Sequence, residues 1–321
     1  MKTCLILLLL AAAVCSFDTF AHAQPAGKVA RVGVLQFESA GGGAAFLRQL
    51  KEMGYEEGRN IAFEYRQSKG QHDLLPNLAA ELVALKVDVI VANGTTAIGP
   101  VMRATKTIPI VMVSGGNPVS RGFVQNLSRP GGNFTGLSSD TAGVTGKRME
   151  LLKETFPAIT RIALLNPEHR RPDRAEQYYQ MAAKLGISIQ SFAVDTSEDF
   201  EQAFVRIATM HPDALISLRH SLISRHDRDI AEFALTHGLP SMHATDRYVR
   251  SGGLMSYGID YTGSWRRAAV FVDKILKGAK PGNLPVEPPQ LKFAINLKTA
   301  KRIGVTIPPE IMLEANEVLK E

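Results

Sequence analysis

Cysteine is almost absent from this sequence. The chain has 321 residues and two cysteines, Cys4 and Cys15, both within the first 23 residues. The rest of the chain therefore has no thiol, which excludes disulfides and cysteine-ligated metals there. The apolar run Leu5–Val14 has ten residues, about half the length that a membrane-spanning helix needs. A permanent transmembrane anchor is not expected from it.

Common catalytic and nucleotide-binding motifs are also missing. Gly41 and Gly43 begin a G-x-G-x-x-G pattern, but Phe46 stands where the third glycine belongs. The chain has no Walker motif, no G-x-S-x-G elbow and no H-E-x-x-H pair. Its net charge of +6 comes from scattered basic residues without interleaved aromatics. We therefore expect no cofactor, no metal, no catalysis and no nucleic-acid partner.

The first 23 residues have the pattern of a secretory signal. Lys2 precedes the apolar run, Ala21 and Ala23 are the small residues that a signal peptidase reads, and Gln24 follows. We predict that residues 1–23 are a cleaved signal peptide and that the mature chain is periplasmic. Val14 precedes Cys15 where a lipid-anchor motif needs a small residue, so lipidation is not expected.

Strand-like and helix-like segments alternate in two successive series. One series begins with the β-rich run 31–35 and the other with 161–165, and the continuous apolar run 87–92 is typical of a strand covered on both faces. The chain after the signal is longer than a single hydrophobic core usually supports, which suggests two domains. The pattern predicts an α/β fold of two doubly wound, parallel-sheet, Rossmann-like lobes.

Several chain crossings are expected between these lobes. Segment 129–138 lies between the two series, and further crossings are expected near 256–258 and 287–289. Parallel connectors of this kind form a hinge. We predict an N-terminal lobe of 24–136 plus about 258–286. The C-terminal lobe is then 137–257 plus about 287–321.

Ligands of open parallel sheets bind outside the carboxyl ends of the strands. We therefore take as candidate ligand-binding residues those that follow predicted strands or lie at predicted crossings. They are Gln36, Phe37, Glu38, Asn93, Gly94, Thr95, Thr96, Asn117, Ser138, Asn166, Arg219, His243, Asp246 and Tyr257.

Thr95 and Thr96 are the most suggestive of these residues. Gly94 permits close backbone approach, and the two hydroxyls lie where a helix is predicted to begin. Exposed N–H groups at a helix start favour a carboxylate or a phosphate. Either threonine would serve equally well as a helix cap, and the two roles are compatible.

A set of phrases in a fixed order extends along nearly the whole chain after the signal. They are RVGVL (31–35), LKEMGYEEGRNI (50–61), LAAELVALKVDVIV (78–91), ATKTIPIV (104–111), RPGGNFTGLS (129–138), KRMELL (147–152), GGLMSYG (252–258), RRAA (266–269), ILKGAK (275–280), LPVE (284–287) and INLKTA (295–300). In these phrases the chain resembles the exported substrate-binding proteins of ABC transporters of the tryptophan/tyrosine-type group, which have the periplasmic-binding-protein-like type I fold.

The resemblance implies a receptor that closes two lobes on a small solute and delivers it to an ABC permease and ATPase at the inner membrane. It places Gly94-Thr95 and Asn117-Pro118 in cleft loops of the first lobe, and Asn166-Pro167 in the second. The family often has Asp-Pro where this chain has Asn117-Pro118, and an acidic or neutral residue near Arg219. These departures put an aromatic amino acid in doubt as the ligand. If Arg219 and His220 face the cleft, they favour a solute with an additional negative charge.

We therefore expect a monomeric, extracytoplasmic receptor of an ABC importer for a small carboxylate-bearing solute, an amino acid or a related compound. Thr95 and Thr96 would hold the carboxylate. An amine or hydroxyl would go to Asn117, Glu38 or Asp246, and an apolar part would stack on Phe37 or Tyr257. The alternative is a sensory module with the same lobes that presents its ligand to a membrane signalling partner.

Overall fold

The computed structural model describes residues 28–37, 42–139, 143–167 and 172–320. The predicted signal peptide and Glu38 lie outside these residues. The strands are β1 (Ala30–Gln36), β2 (Ile61–Gln67), β3 (Val89–Asn93), β4 (Ile110–Met112), β5 (Phe134–Gly136), β6 (Arg161–Asn166), β7 (Ser188–Ala193), β8 (Ala214–Ser217), β9 (Ser241–His243), β10 (Met255–Ile259), β11 (Leu291–Asn296) and β12 (Glu317–Leu319).

Helices follow most strands, as the alternating pattern predicts. They are α1 (Gly43–Glu52), α2 (Leu75–Ala84), α3 (Thr95–Ala104), α4 (Val144–Thr155), α5 (Pro172–Leu185), α6 (Asp199–Met210), α7 (Ser221–Arg225), α8 (Asp227–Thr236), α9 (Asp246–Arg250), α10 (Tyr261–Leu276), α11 (Leu297–Arg302) and α12 (Pro309–Glu314). Short 3-10 turns occur at His72–Leu74 and Pro281–Asn283.

The strands form two sheets, one for each predicted lobe. The first has the order β2-β1-β3-β4-β5 and the second has the order β12-β11-β10-β9-β8-β6-β7. The strand pairs of the first sheet are all parallel. The two-lobed α/β fold predicted from the sequence is therefore confirmed.

The second sheet departs from the prediction at one strand pair. β10 and β11 are antiparallel, with Met255 opposite Ile295, whereas a wholly parallel sheet was expected. Between them, α10 packs on the first sheet, and the chain then returns along an extended segment. Because it leaves and re-enters the second sheet at the same end, β11 runs opposite to β10 and needs no covering crossover helix.

Helix α10 belongs to the first lobe although it follows a strand of the second. Its Trp265 is buried in one cluster with Phe46 of α1, and the two rings meet edge to face at 5.6 Å between centroids. Burial of each such aromatic side chain contributes about 2–3 kcal/mol. The last strand of the first sheet, β5, ends at Gly136, and the chain leaves the second sheet after β10 at Ile259 before it returns as β11. The exact limits of the lobes stay a prediction.

The connectors between the lobes pair with each other. Leu137 forms a parallel bridge with Glu287, the Glu287 N–H donates to the Gly136 carbonyl at 2.9 Å, and the Ser138 N–H donates to the Glu287 carbonyl at 2.9 Å. Two of the crossing segments are thus joined like short strands, in the arrangement expected of a hinge.

Candidate ligand-binding site

A cavity of about 830 Å³ lies where the two lobes face each other. Its described lining from the first lobe is Asn93, Gly94, Thr95, Thr96, Ser114, Gly116, Asn117, Ser120 and Arg121, with Ser139 beyond the crossing and Tyr261 at the start of α10. From the second lobe it is Val144, Thr145, Arg148, Gln177, Tyr178, Leu218, Arg219, Ala244, Gly258 and Ile259. The volume suits a small organic molecule.

The first-lobe wall is built around the start of α3. Gly94 has φ +80° and ψ 150°, a conformation that glycine adopts readily and that turns the chain sharply from β3 into the helix. No side chain of the described residues caps this helix. Its first N–H groups and the hydroxyls of Thr95 and Thr96 therefore lie at the cavity wall, where a helix start favours negative charge.

The loop after β4 completes this wall. The Gly116 N–H donates to Ser139 Oγ at 2.7 Å, which holds the loop against the crossing segment. A Cβ at Gly116 would lie 3.3 Å from Thr95 Oγ1 and 3.2 Å from Arg121 Nε. Gly116 thus lets the threonine hydroxyl and the Arg121 side chain approach each other at the cavity.

The second-lobe wall centres on Arg148 of α4. Arg148 is only 5% exposed. Its Nε donates to the Tyr257 carbonyl at 3.0 Å, and its Nη1 donates to the Tyr178 hydroxyl. The guanidinium carbon also lies 5.9 Å from the centre of the Tyr178 ring. These contacts hold the guanidinium in one orientation at the cavity.

Arg219 of this wall meets Tyr261, which begins α10 of the first lobe. The Arg219 guanidinium lies 5.5 Å from the centre of the Tyr261 ring, at a distance typical of cation–π contacts. Gly258 is tightly enclosed, because a Cβ there would lie 1.9 Å from the Ala244 carbonyl oxygen. Three arginines and no aspartate or glutamate occur among the described lining residues, so the charged groups of the described lining are all positive.

Of the residues predicted from the sequence, six line this cavity. They are Asn93, Gly94, Thr95, Thr96, Asn117 and Arg219. All six follow strands at the carboxyl ends of the two sheets, where the topology brings them together. Ligand contact by each of them stays a prediction.

Three predicted residues at the end of the first sheet and in the crossing do not line it. Gln36 ends β1, and its carbonyl accepts from the Ser68 N–H at 3.1 Å. The Phe37 ring packs on His72 at 4.4 Å between centroids. Ser138 is buried in the paired crossing, since its backbone joins Glu287.

Four predicted residues of the second lobe also lie away from the cavity. Asn166 is buried and donates to Ser191 Oγ at 3.4 Å. Asp246 pairs with Lys292 at 3.0 Å. The Tyr257 ring packs on Phe293, and only its carbonyl reaches towards the site through Arg148. A strand turns alternate side chains to opposite faces, so a position at a strand end is not sufficient to face the cleft.

His243 is the fourth of these residues and is fully buried, stacked on Tyr248 at 5.0 Å between centroids. Its Nε2 lies 3.7 Å from Asp227 Oδ1. Burial, with the positive charges of Arg148 and Arg247, lowers the pKa of His243 to about 3. The imidazole is therefore neutral at physiological pH, and it belongs to the interior of the second lobe.

Sequence reasoning missed the helix-borne part of the site. Arg148, Gln177 and Tyr178 come from α4 and α5, and Arg121 and Tyr261 come from a loop and a helix start. One signal was available: Arg148 is a charged residue beside Met149 and Leu152 on the buried side of its helix. A cation in that setting indicates a specific partner.

A sequence model of the family described as ABC transporter substrate binding protein matches residues 40–319. The chain belongs to this family. Like the substrate-binding proteins that the family comprises, it has two α/β lobes with a polar cavity between them. The family is one of binding proteins, and the resemblance read from the sequence is confirmed.

Named relatives of this substrate-binding protein agree with the family. A tyrosine-binding protein of Clostridioides difficile (strain R20291) is 27% identical over 263 residues, which are 81% of this chain and 75% of the relative. A crystal structure of a conserved domain protein from Vibrio cholerae is 30% identical, with a TM-score of 0.75, and the match covers 91% of this chain and 100% of that one. A Streptococcus pneumonia ABC domain in complex with L-Trp is 26% identical, with a TM-score of 0.75 and coverage of 90% and 99%.

Within the four ranges that the structure describes, no helix has the length and apolarity needed to cross a membrane. Over the same ranges, no group of three or more His, Cys, Asp or Glu side chains is placed to hold a metal ion.

Proposed function

We propose that this substrate-binding protein is the extracytoplasmic receptor of an ABC importer, and that it binds a small carboxylate-bearing solute, an amino acid or a related compound, between its lobes. The observation that carries the proposal is the uncapped start of α3 at the wall of a cavity whose described charged groups are all cationic. The names of the tyrosine-binding relative and the L-Trp complex support a carboxylate-bearing ligand.

The geometry suggests how binding would proceed. A carboxylate accepts hydrogen bonds from the first N–H groups of α3 and from the hydroxyls of Thr95 and Thr96, with favourable helix-end electrostatics. A hydroxyl or an amine of the solute would be placed against the amides of Asn93 and Asn117 at the same wall. The partly exposed ring of Tyr261 offers a face for an apolar part.

Closure of the lobes follows from the same contacts. A solute that contacts both walls makes more contacts in the closed form than in the open form. It stabilises the closed form by the free energy of those additional contacts. The bridged crossings at Leu137 and Glu287 keep the lobes in register while they rotate. The closed monomer then delivers the solute to the permease and ATPase.

A thermal-shift screen of the protein beginning at Gln24 tests the proposal. The library contains amino acids, aromatic acids, small mono- and dicarboxylates, and sugars as uncharged controls. A ligand that binds only the folded state stabilises it, by about 2.7 kcal/mol at a hundredfold excess over Kd. We expect a saturable rise in Tm with a class of carboxylates. The proposal would be contradicted if only sugars raised Tm, or if no compound of the library raised it.

A further inference from the structure

Arg148 is a buried cation without a counterion in the described chain. Its three contacts, the Tyr257 carbonyl, the Tyr178 hydroxyl and the Tyr178 ring, are all uncharged. No aspartate or glutamate oxygen of the described residues lies within 4.0 Å of its guanidinium nitrogens. Buried charges are costly unless they are paired, so a 5% exposed arginine at a cavity wall indicates an anion bound in that cavity.

Two other cations show the contrast, Arg247 in the second lobe and Arg267 on α10 of the first. Arg247 Nε lies 2.8 Å from the buried carboxylate of Asp227. Arg267 forms a two-pronged pair with Glu287. In both cases the protein supplies the carboxylate, whereas at Arg148 it supplies two hydrogen bonds that fix the guanidinium and leaves Nη2 without a described partner. The Arg148 guanidinium is therefore oriented to bind a bidentate acceptor that belongs to the solute.

The cavity has a second positive pole on the opposite wall. The uncapped start of α3 brings its N–H groups and the two threonine hydroxyls there, with Arg121 at the same wall. A zwitterionic amino acid needs an anionic or acceptor-rich partner for its ammonium group. The described lining offers an ammonium group only neutral acceptors, whereas it offers a second acidic group the Arg148 guanidinium.

We propose, resting on the receptor function above, that the solute carries two acidic groups and a net negative charge. One acidic group binds at the start of α3 and the other binds to Arg148, so that the solute bridges the lobes by its two ends. The class is thus a small dicarboxylate or an equivalent dianion with no compensating ammonium.

Isothermal titration calorimetry with matched solutes tests this inference. One set is L-tyrosine, 3-(4-hydroxyphenyl)propanoate and 3-(4-carboxyphenyl)propanoate, and the other is L-norleucine, hexanoate and adipate. Each set keeps its skeleton and changes net charge from zero to one to two negative charges. We expect the dianion of at least one set to bind at least tenfold more tightly than its monoanion, as one charge-assisted bidentate pair would give.

Variants then assign the second acidic group to Arg148. Arg148→Gln is expected to remove most of the dianion's advantage over the monoanion, and Arg148→Lys to retain part of it. The matched control is Arg206→Gln, which removes one positive charge from an exposed position over the Phe192 ring, outside the cavity lining. It should leave the ratio of the two affinities unchanged.

The salt dependence of the unmodified protein gives a readout that does not require a folded variant. Dianion affinity should fall more steeply with ionic strength than monoanion affinity. Tighter binding of the zwitterion in both sets, or equal salt slopes, would overturn the dianion inference while leaving the receptor function standing. Binding of sugars alone would overturn both.

Discussion

At the residue scale, Thr95 and Thr96 provide the most specific test of the first-lobe wall. Their hydroxyls lie at the uncapped start of α3, so Thr95→Ala with Thr96→Ala removes two hydrogen bonds to a carboxylate. Each is worth about 0.5–1.5 kcal/mol or somewhat more with a charged acceptor. Calorimetry should show that the affinity of the best carboxylate falls by about 1–3 kcal/mol.

The control for that double variant is Thr209→Ala. The Thr209 hydroxyl donates to the Val205 carbonyl at 3.0 Å on exposed α6, away from the cavity. Its affinity should equal that of the unmodified protein. An unchanged affinity in the double variant as well would remove the two threonines from the binding site.

His243 predicts a pH dependence of stability. Its pKa in the folded protein, about 3, lies below the ordinary 6.5, so the unfolded chain binds the extra proton between these values. The contribution of His243 to the free energy of unfolding is therefore complete above about pH 6.5, and it is lost as the pH is lowered towards 3. Burial raises the pKa of nearby Asp227, which acts in the opposite sense at the acidic end of this window.

Urea unfolding at pH 7 and at pH 5 measures this effect. His243 alone should make the protein lose about 2 kcal/mol between these values. His243→Gln, which has no titrating ring, should lose correspondingly less. The assignment fails if both proteins lose the same amount.

The residues that sequence reasoning found and missed differ by the element that carries them. Asn93 to Thr96 end a parallel strand and start a helix, and the carboxyl-end rule places such residues at a ligand site. Arg148 and Tyr178 lie on helices, and their approach to the cavity depends on how α4 and α5 sit on the second sheet. That packing is a tertiary property that strand and helix periodicity does not contain.

At the element scale, the hinge depends on one ion pair across two segments. Arg267 of α10 binds both carboxylate oxygens of Glu287, whose backbone pairs with the crossing at Leu137. The side chains are 36% and 24% exposed, so solvent weakens the pair to about 0.5–1 kcal/mol.

A double-mutant cycle with Arg267→Ala and Glu287→Ala measures that coupling. Urea unfolding should give an interaction energy of about 0.5–1 kcal/mol. The same cycle on the exposed pair of Arg59 and Glu56, 2.8 Å apart on a first-lobe turn, serves as the control and should give less. A coupling of zero at Arg267 would mean that backbone pairing alone joins the crossings.

The elements themselves were largely predictable. Alternating apolar runs, such as the one that contains β3, indicate buried parallel strands, and the structure has them. The antiparallel β11 was not predictable in the same way, because its direction follows from where the chain re-enters the second lobe. The prolines between 281 and 289 favour an extended connector but do not determine its direction.

At the scale of the whole molecule, the cavity exists because the chain crosses repeatedly between two sheets. Each lobe supplies one positive wall: the start of α3 in the first and Arg148 in the second. Neither wall alone encloses a solute, so binding and closure are expected to be one linked equilibrium. The account therefore requires that a bound solute stabilise both walls at once.

Hydrogen exchange measured by mass spectrometry tests that requirement most directly. The probe is the compound that gives the largest thermal shift, at saturation. The account predicts slower exchange in peptides covering 94–98 and 114–117 of the first lobe together with 144–149 and 218–219 of the second, because local opening is suppressed on both walls. Protection confined to one lobe, or found only away from the cavity while Tm rises, would contradict it.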